Sequence, residues 1–211
     1  MDMLNQISEN LIKGRAREVK ELVEKAIKEN VNPADILNKG LLAGMSVIGE
    51  RFKKNEVYVP EVLIAARAMK SAMDILKPLL IKAGVEPLGT VVMGTVKGDL
   101  HDIGKNLVCM LLEGGGFKVI DAGINVEAAK FIQLAHEHQA ALIGASALLT
   151  TTMTNMKELV DAVKASDLAG RVKVMIGGAP VTQAFADEIK ADGYAPDAAS
   201  AVDLAKKLIE A

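Results

Sequence analysis

Thr90-Val91-Val92-Met93-Gly94-Thr95 runs directly into Val96-Lys97-Gly98-Asp99-Leu100-His101-Asp102-Ile103-Gly104-Lys105-Asn106. The first part is a short, unbroken aliphatic run of the kind that suits a strand buried on both faces, as in a parallel sheet. The second part is polar and punctuated by glycine, with Gly104 where the next helix must begin. Further aliphatic runs follow at residues 118–121, 141–147 and 172–176, with a weaker one near Tyr194. Amphipathic helical patterns separate them. Strand–helix alternation repeated about five times predicts an α/β domain with a doubly wound, parallel five-stranded sheet. Ligands of such sheets sit beyond the carboxyl ends of the strands, so the chemistry is sought in the loop after each run.

Upstream the pattern is different. From residue 4 to about 81 the apolar residues recur at helical spacing, as in Val19, Leu22, Val23, Ala26 and Ile27. Asn32-Pro33 reads as an N-cap followed by proline at the first helical position, and Pro60 as the opening of a further long helix. Short connections between such helices favour an antiparallel bundle. The change of pattern at Gly84-Val85-Glu86-Pro87 divides the chain into an all-α bundle, 1–86, and the α/β domain, 87–211.

Half of the 211 residues are hydrophobic but only 3% are aromatic, so aliphatic side chains and ten methionines must fill the core. The formal net charge of −2 gives no general affinity for nucleic acid or anionic membranes. No apolar run reaches bilayer length, and the N-terminus lacks a basic-then-apolar signal pattern. The one cysteine, Cys109, cannot form an internal disulfide and is read as a small core residue. These features predict a cytoplasmic protein without membrane or nucleic-acid partners.

In the loop after the first strand, Asp99 and His101 lie two residues apart. A histidine on an exposed loop can offer a neutral imidazole nitrogen to a metal. A carboxylate on the other ring nitrogen then fixes the tautomer and makes the ligand more basic. The plainer alternative is a loop hydrogen bond that stabilises a turn. One histidine without a cysteine cluster cannot build a zinc site, and a lone ligand suggests a metal already held by a macrocycle. His136 and His138, which flank Glu137, read as solvated residues at a helix end.

Two further loops carry related features. Ser146-Ala147-Leu148-Leu149-Thr150 follows the third strand, and Gly177-Gly178-Ala179-Pro180 the fourth. The three motifs, D-x-H-x-x-G, then S-x-L, then G-G, are separated by 41 residues (105–145) and 28 residues (149–176). This set resembles the cobalamin-binding, Rossmann-like domain of methionine synthase, of the carbon-skeleton mutases and of corrinoid methyl-transfer proteins. The stretch from Gly94 to Asn106 is similar to the methionine synthase loop. The helical half, with Ile48-Gly49-Glu50-Arg51-Phe52 and Val59-Pro60-Glu61, looks like the cap module of corrinoid subunits in methyltransferase systems.

The resemblance implies the following roles. His101 is the lower axial ligand of cobalt. Asp99 binds its other ring nitrogen, and Ser146 extends the pair into a proton relay. The loop residues Gly98, Leu100 and Asp102 lie against the corrinoid. Gly104, Leu148, Thr150, Gly177, Gly178, Tyr194 and Ala198 line a slot for its nucleotide tail. The cofactor is cobalamin or a related corrinoid, alternating between methylcob(III)alamin and cob(I)alamin. The protein is expected to be a methyl carrier, with no substrate barrel of its own. Its implied partners are a substrate-specific methyltransferase, an acceptor methyltransferase using a thiol, tetrahydrofolate or tetrahydropterin, and a reductive activase. A hinge is expected near residues 84–89. An adenosylcobalamin-dependent mutase subunit and a cobalamin-sensing regulator share the motifs and remain the alternatives.

Overall fold

The structure, a computed structural model, describes residues 2–210. The chain divides into two compact units, Met1–Pro87 with Gly114–Gly116, and Leu88–Glu113 with Phe117–Ala211. Among the described residues no helix is long and apolar enough to cross a membrane.

The first unit is helical: α1 Met3–Ile12, α2 Ala16–Lys28, α3 Pro33–Asp35, a π-helical segment Ile36–Leu42, α4 Ala43–Lys53 and α5 Val59–Lys82. Asn32 caps α3, its side-chain oxygen accepting from the Ala34 N–H at 2.9 Å, with Pro33 in the first turn. The sequence pattern predicts plain α-helix from Pro33 onward. The π-helical turns instead bring residues five apart together, and Ile36 and Leu41 are both fully buried. Close approach of α1 explains two glycines of this stretch. A Cβ on Gly40 would lie 3.1 Å from Ile7 Cγ2, and one on Gly44 3.0 Å from Leu11 Cδ2. Helix α5 ends at Gly84, whose φ of +69° lets the Gly84 and Val85 N–H groups turn back onto the carbonyls of Ile81 and Leu80.

The second unit contains β1 Thr90–Val96, α6 Ile103–Gly114, β2 Lys118–Val126, α7 Ala128–Glu137, β3 Leu142–Ser146, α8 Thr154–Ala165, β4 Lys173–Gly177, α9 Gln183–Ile189, β5 Gly193–Ala195 and α10 Ala198–Ile209. Among the described residues five strands form one sheet, all parallel, in the order β2-β1-β3-β4-β5. Both faces are covered. Val92, Ile143, Val174 and Ile176 pack with Phe131, Met156 and Leu159 in one apolar cluster; Val91, Met93, Leu142 and Met175 pack with Cys109, Leu112 and Ala205 in another. Helices α7 and α8 thus cover one face, and α6 and α10 the other. Burial pushes the Cys109 thiol up to about 12, consistent with an inert core residue. Strand β2 runs five residues past the aliphatic run that announces it. Its extension carries Gly123 and Asn125, both at positive φ, and its register against β1 shifts twice.

Candidate functional site

The strand order reverses direction between β1 and β3, the place where ligands of such sheets bind. The β1 loop brings Asp99 and His101 to that place; the β3 loop brings Leu148, Leu149 and the short 3-10 turn Thr150–Thr152. Register explains how motifs so distant in sequence become neighbours. Thr95 pairs with Ser146, Ser146 with Gly177, and Gly177 with Ala195, so four strands end along one row.

Asp99 is the centre of the site and is 0% exposed. Its Oδ1 accepts hydrogen bonds from the His101 ring Nδ1 at 2.7 Å and from the His101 backbone N–H at 3.1 Å. Its Oδ2 accepts from the Leu148 N–H at 2.7 Å, the Leu149 N–H at 3.2 Å and the Thr152 hydroxyl at 2.9 Å. Burial pushes the carboxyl up. Hydrogen bonds from Leu148, the His101 ring, the His101 backbone and Thr152 more than offset that and hold it well below the usual carboxylate range. An ionised carboxylate accepts only, so Nδ1 must carry its proton. The imidazole is thereby fixed as the tautomer with a bare Nε2. The ring is half exposed, and Nε2 has no hydrogen-bond partner among the described residues.

The hydroxyl on Asp99 is that of Thr152, in place of the expected Ser146. After Ser146 the chain passes through Leu148 and Leu149, which give their N–H groups to Oδ2. The 3-10 turn then folds Thr152 back onto the same oxygen. The Thr152 hydroxyl also lies 2.9 Å from the Leu149 carbonyl, but its single proton goes to the stronger, anionic acceptor. Ser146 ends β3, and neither its hydroxyl nor that of Thr150 has a protein hydrogen-bond partner among the described residues.

The loop itself is tied at nearly every residue. Lys97 O accepts from Asn155 Nδ2 at 2.8 Å, and the Gly98 N–H donates to Asn125 Oδ1 at 2.7 Å. Asp99 O accepts from the Asn125 N–H at 3.0 Å, and His101 O accepts from the buried Thr95 hydroxyl at 2.7 Å. Asp102 starts α6, accepting from the Asn106 N–H and side-chain amide. Lys105, 2% exposed, places its ammonium 2.6 Å from both oxygens of Asp121 and so fastens α6 to β2. Thr95, Lys105, Asp121, Asn125, Thr152 and Asn155 are not evident from the motif, because their partners lie on other strands and helices.

The other expected residues fall as follows. Gly98 sits at φ +80°; Leu100 is exposed, and a Cβ on Gly104 would meet nothing within 4 Å. Gly178 sits at φ +128°, where an added Cβ would collide with the Ala147 carbonyl oxygen. Tyr194 packs against the larger apolar cluster, and Ala198 is buried at the start of α10 behind the Asp197 cap. His136 Nε2 donates to the Asp167 carboxylate at 2.8 Å, on the surface.

The sheet edge that carries His101 exposes several large apolar side chains. Leu100 (66% exposed), Ile103 (78%), Ile124, Leu148 and Leu149 lie in the loops and strand ends at this edge. Large hydrophobic side chains grouped at exposed positions mark a surface that something covers. Among the described residues no three His, Cys, Asp or Glu side chains gather to hold a metal ion alone. A single neutral imidazole within an apolar rim fits a metal carried in a flat organic ring.

Comparisons with known proteins agree. Residues 89–203 match the B12 binding domain family, and residues 3–77 match a second family described as a B12 binding domain. A corrinoid protein of Desulfitobacterium hafniense (strain Y51) is 42% identical over 212 residues, covering 99% of this chain and 98% of that protein. Dimethylamine corrinoid protein 3 of Methanosarcina acetivorans is 43% identical over 207 residues, covering 98% and 97%. A chain of the methanol:cobalamin methyltransferase complex MtaBC from Methanosarcina barkeri superposes with a TM-score of 0.87 at 29% identity, over 99% of this chain and 80% of that one. By sequence over its whole length and by fold, the chain belongs to the B12-binding corrinoid proteins of methyltransferase systems.

Proposed function

We propose that the chain is a methyl carrier whose corrinoid is held from below by His101. The observation that supports this most is the bare Nε2 of His101, backed by a buried anionic Asp99, at a sheet edge with exposed apolar side chains. When bound, the corrinoid supplies a cobalt atom that takes up a methyl group as a formal cation and releases it in the same form.

The protein's own residues then have distinct tasks. Asp99 keeps the proton on Nδ1 and leaves the Nε2 lone pair free. Its negative charge makes the imidazole a better donor. Thr152, the Leu148 and Leu149 N–H groups and the His101 backbone N–H hold that charge in place, so four fixed donors besides the ring itself tune the basicity of His101. Leu100, Ile103, Leu148 and Leu149, exposed in the protein alone, would be covered by the bound cofactor and so keep water from the ring. Ser146 and Thr150, whose hydroxyls are uncommitted, join Gly104, Leu148, Gly177, Gly178, Tyr194 and Ala198 in the slot proposed for the nucleotide tail. Gly98 and Asp102 complete the loop against the corrinoid. Residues 1–86 serve as the cap, and motion near residues 84–89 admits two partners in turn.

A substrate-specific methyltransferase delivers the methyl group, a second methyltransferase removes it to a thiol or a reduced pterin or folate, and a reductive activase restores inactive carrier. The likeness to dimethylamine corrinoid proteins makes methylamine methyltransferases the first partners to try. The test is to load the protein with hydroxocobalamin, reduce it, and add methylamine substrates with candidate methyltransferases. Appearance of the methyl–cobalt absorption with one donor class is expected. A protein that takes up no corrinoid, or one that accepts an adenosyl group and isomerises a carbon skeleton, contradicts the carrier reading.

A further inference from the structure

Asn125 holds the ligand loop in a way that neither the D-x-H-x-x-G motif nor the comparisons explain. It lies 24 residues beyond His101 in sequence, at the end of β2. There the β1–β2 ladder loses register: Gly94 pairs with Gly123 and Val96 with Val126, leaving Ile124 and Asn125 opposite the single residue Thr95. A bulge of this kind turns a residue out of the ladder and re-aims it. Asn125 takes a left-handed φ of +52°, its Oδ1 accepts from the Gly98 N–H at 2.7 Å, and its own N–H donates to the Asp99 carbonyl at 3.0 Å. The Gly98–Asp99 stretch is thus held at both ends by one residue. Gly98 is itself the left-handed turn, at φ +80°, from which the loop departs. Rotation there would swing the Cα–Cβ bond of Asp99 and carry the His101 ring with it.

We propose that Asn125 is a positioning residue for His101: as a two-point clamp on Gly98 and Asp99, it presets the direction in which the imidazole is offered before any corrinoid arrives. The proposal rests on the reading of His101 as the cobalt ligand, although the clamp exists in the protein alone. The residue type follows from the geometry. The position needs a side chain that tolerates left-handed φ and ends in an acceptor oxygen, which restricts it in practice to asparagine and aspartate. Alanine would add backbone strain, so two other substitutions separate the effects. Asn125→Gly keeps the φ and removes the acceptor. Asn125→Asp keeps both.

The experiment uses the full chain, first without cofactor and then loaded with hydroxocobalamin. In Asn125→Gly the Gly98 amide should exchange with solvent about tenfold faster, as expected for a lost hydrogen bond. The ¹⁵N spectrum should show a mixture of ring tautomers at His101, and hydroxocobalamin should bind about 3- to 10-fold more weakly. Amide exchange in β3 and β4 should not change, which reports that the fold is intact. Asn125→Asp should restore the wild-type values of all three. Wild-type exchange, tautomer and affinity in Asn125→Gly would overturn the clamp. So would an Asn125→Asp variant that behaves like Asn125→Gly. If the wild-type protein binds no hydroxocobalamin, the site reading fails, while exchange and tautomer in the cofactor-free protein still decide the clamp.

Discussion

His101→Ala is expected to lower the affinity for hydroxocobalamin about 100-fold or more while leaving the cofactor-free protein folded. Removing a metal's only protein ligand costs at least as much as removing a residue that supports one, for which losses of about 10- to 100-fold are usual. A hundredfold is about 2.7 kcal/mol. The fold should tolerate the change because the ring is half exposed and makes one hydrogen bond, to Asp99. Asp99 keeps its contacts with Leu148, Leu149 and Thr152, so the cost to stability should be about 1 kcal/mol. Equilibrium binding followed by absorbance, with urea unfolding of the same sample, checks both halves. Unchanged affinity would remove His101 from the site.

Asp99 should show the opposite balance, with a large loss of stability as well as weaker binding. Its carboxylate is fully buried and is the shared acceptor for two loops. In Asp99→Asn the amide must turn its NH₂ group either toward the two His101 donors or toward those of Leu148, Leu149 and Thr152. Several buried donors then lose their acceptor, at a cost of about 3 kcal/mol at pH 7. The pH dependence has a definite sign. The folded-state carboxyl is held below its ordinary value, so the stability it contributes is complete above the unfolded-state value of about 3.9 and is lost as pH falls through the folded-state value. The difference between wild type and Asp99→Asn should therefore not close between pH 7 and about 4, and should shrink only below that. Urea unfolding at several pH values measures it. A difference that closes between pH 7 and 5, or that is absent at pH 7, contradicts the proposed charge state.

Much of this was legible in the chain. The aliphatic runs mark strands because parallel strands are buried on both sides, and each of β1 to β5 falls on or beside one. The Asp99–His101 pairing is local, which is why two residues in one loop suffice to suggest it. The contacts that the sequence does not reveal are non-local. Three successive threonines, 150–152, offer three hydroxyls, and only the 3-10 turn selects Thr152 for Asp99. Asn125 lies beyond the point where the aliphatic run of β2 stops, because the bulged extension carries glycine and asparagine in place of β-formers. At Gly178 the missing side chain serves the fold itself: the backbone of Ala147 occupies the space a Cβ would need, a non-local contact. The π-helical turn at Ile36–Leu42 likewise has no period of its own that a helical stripe could reveal.

Whether the Nε2 of His101 coordinates cobalt is tested directly by electron paramagnetic resonance of the one-electron-reduced, cob(II) form. The protein should be loaded with hydroxocobalamin and grown with either ordinary or ¹⁵N-labelled histidine. A protein nitrogen on the axial position splits each cobalt line into a triplet, and ¹⁵N-histidine should convert every triplet into a doublet. His101→Ala should lose that conversion, whereas His136→Ala and His138→Ala should retain it. Triplets that persist with labelled histidine would mean that the cofactor's own base occupies the position, and His101 would not be the ligand.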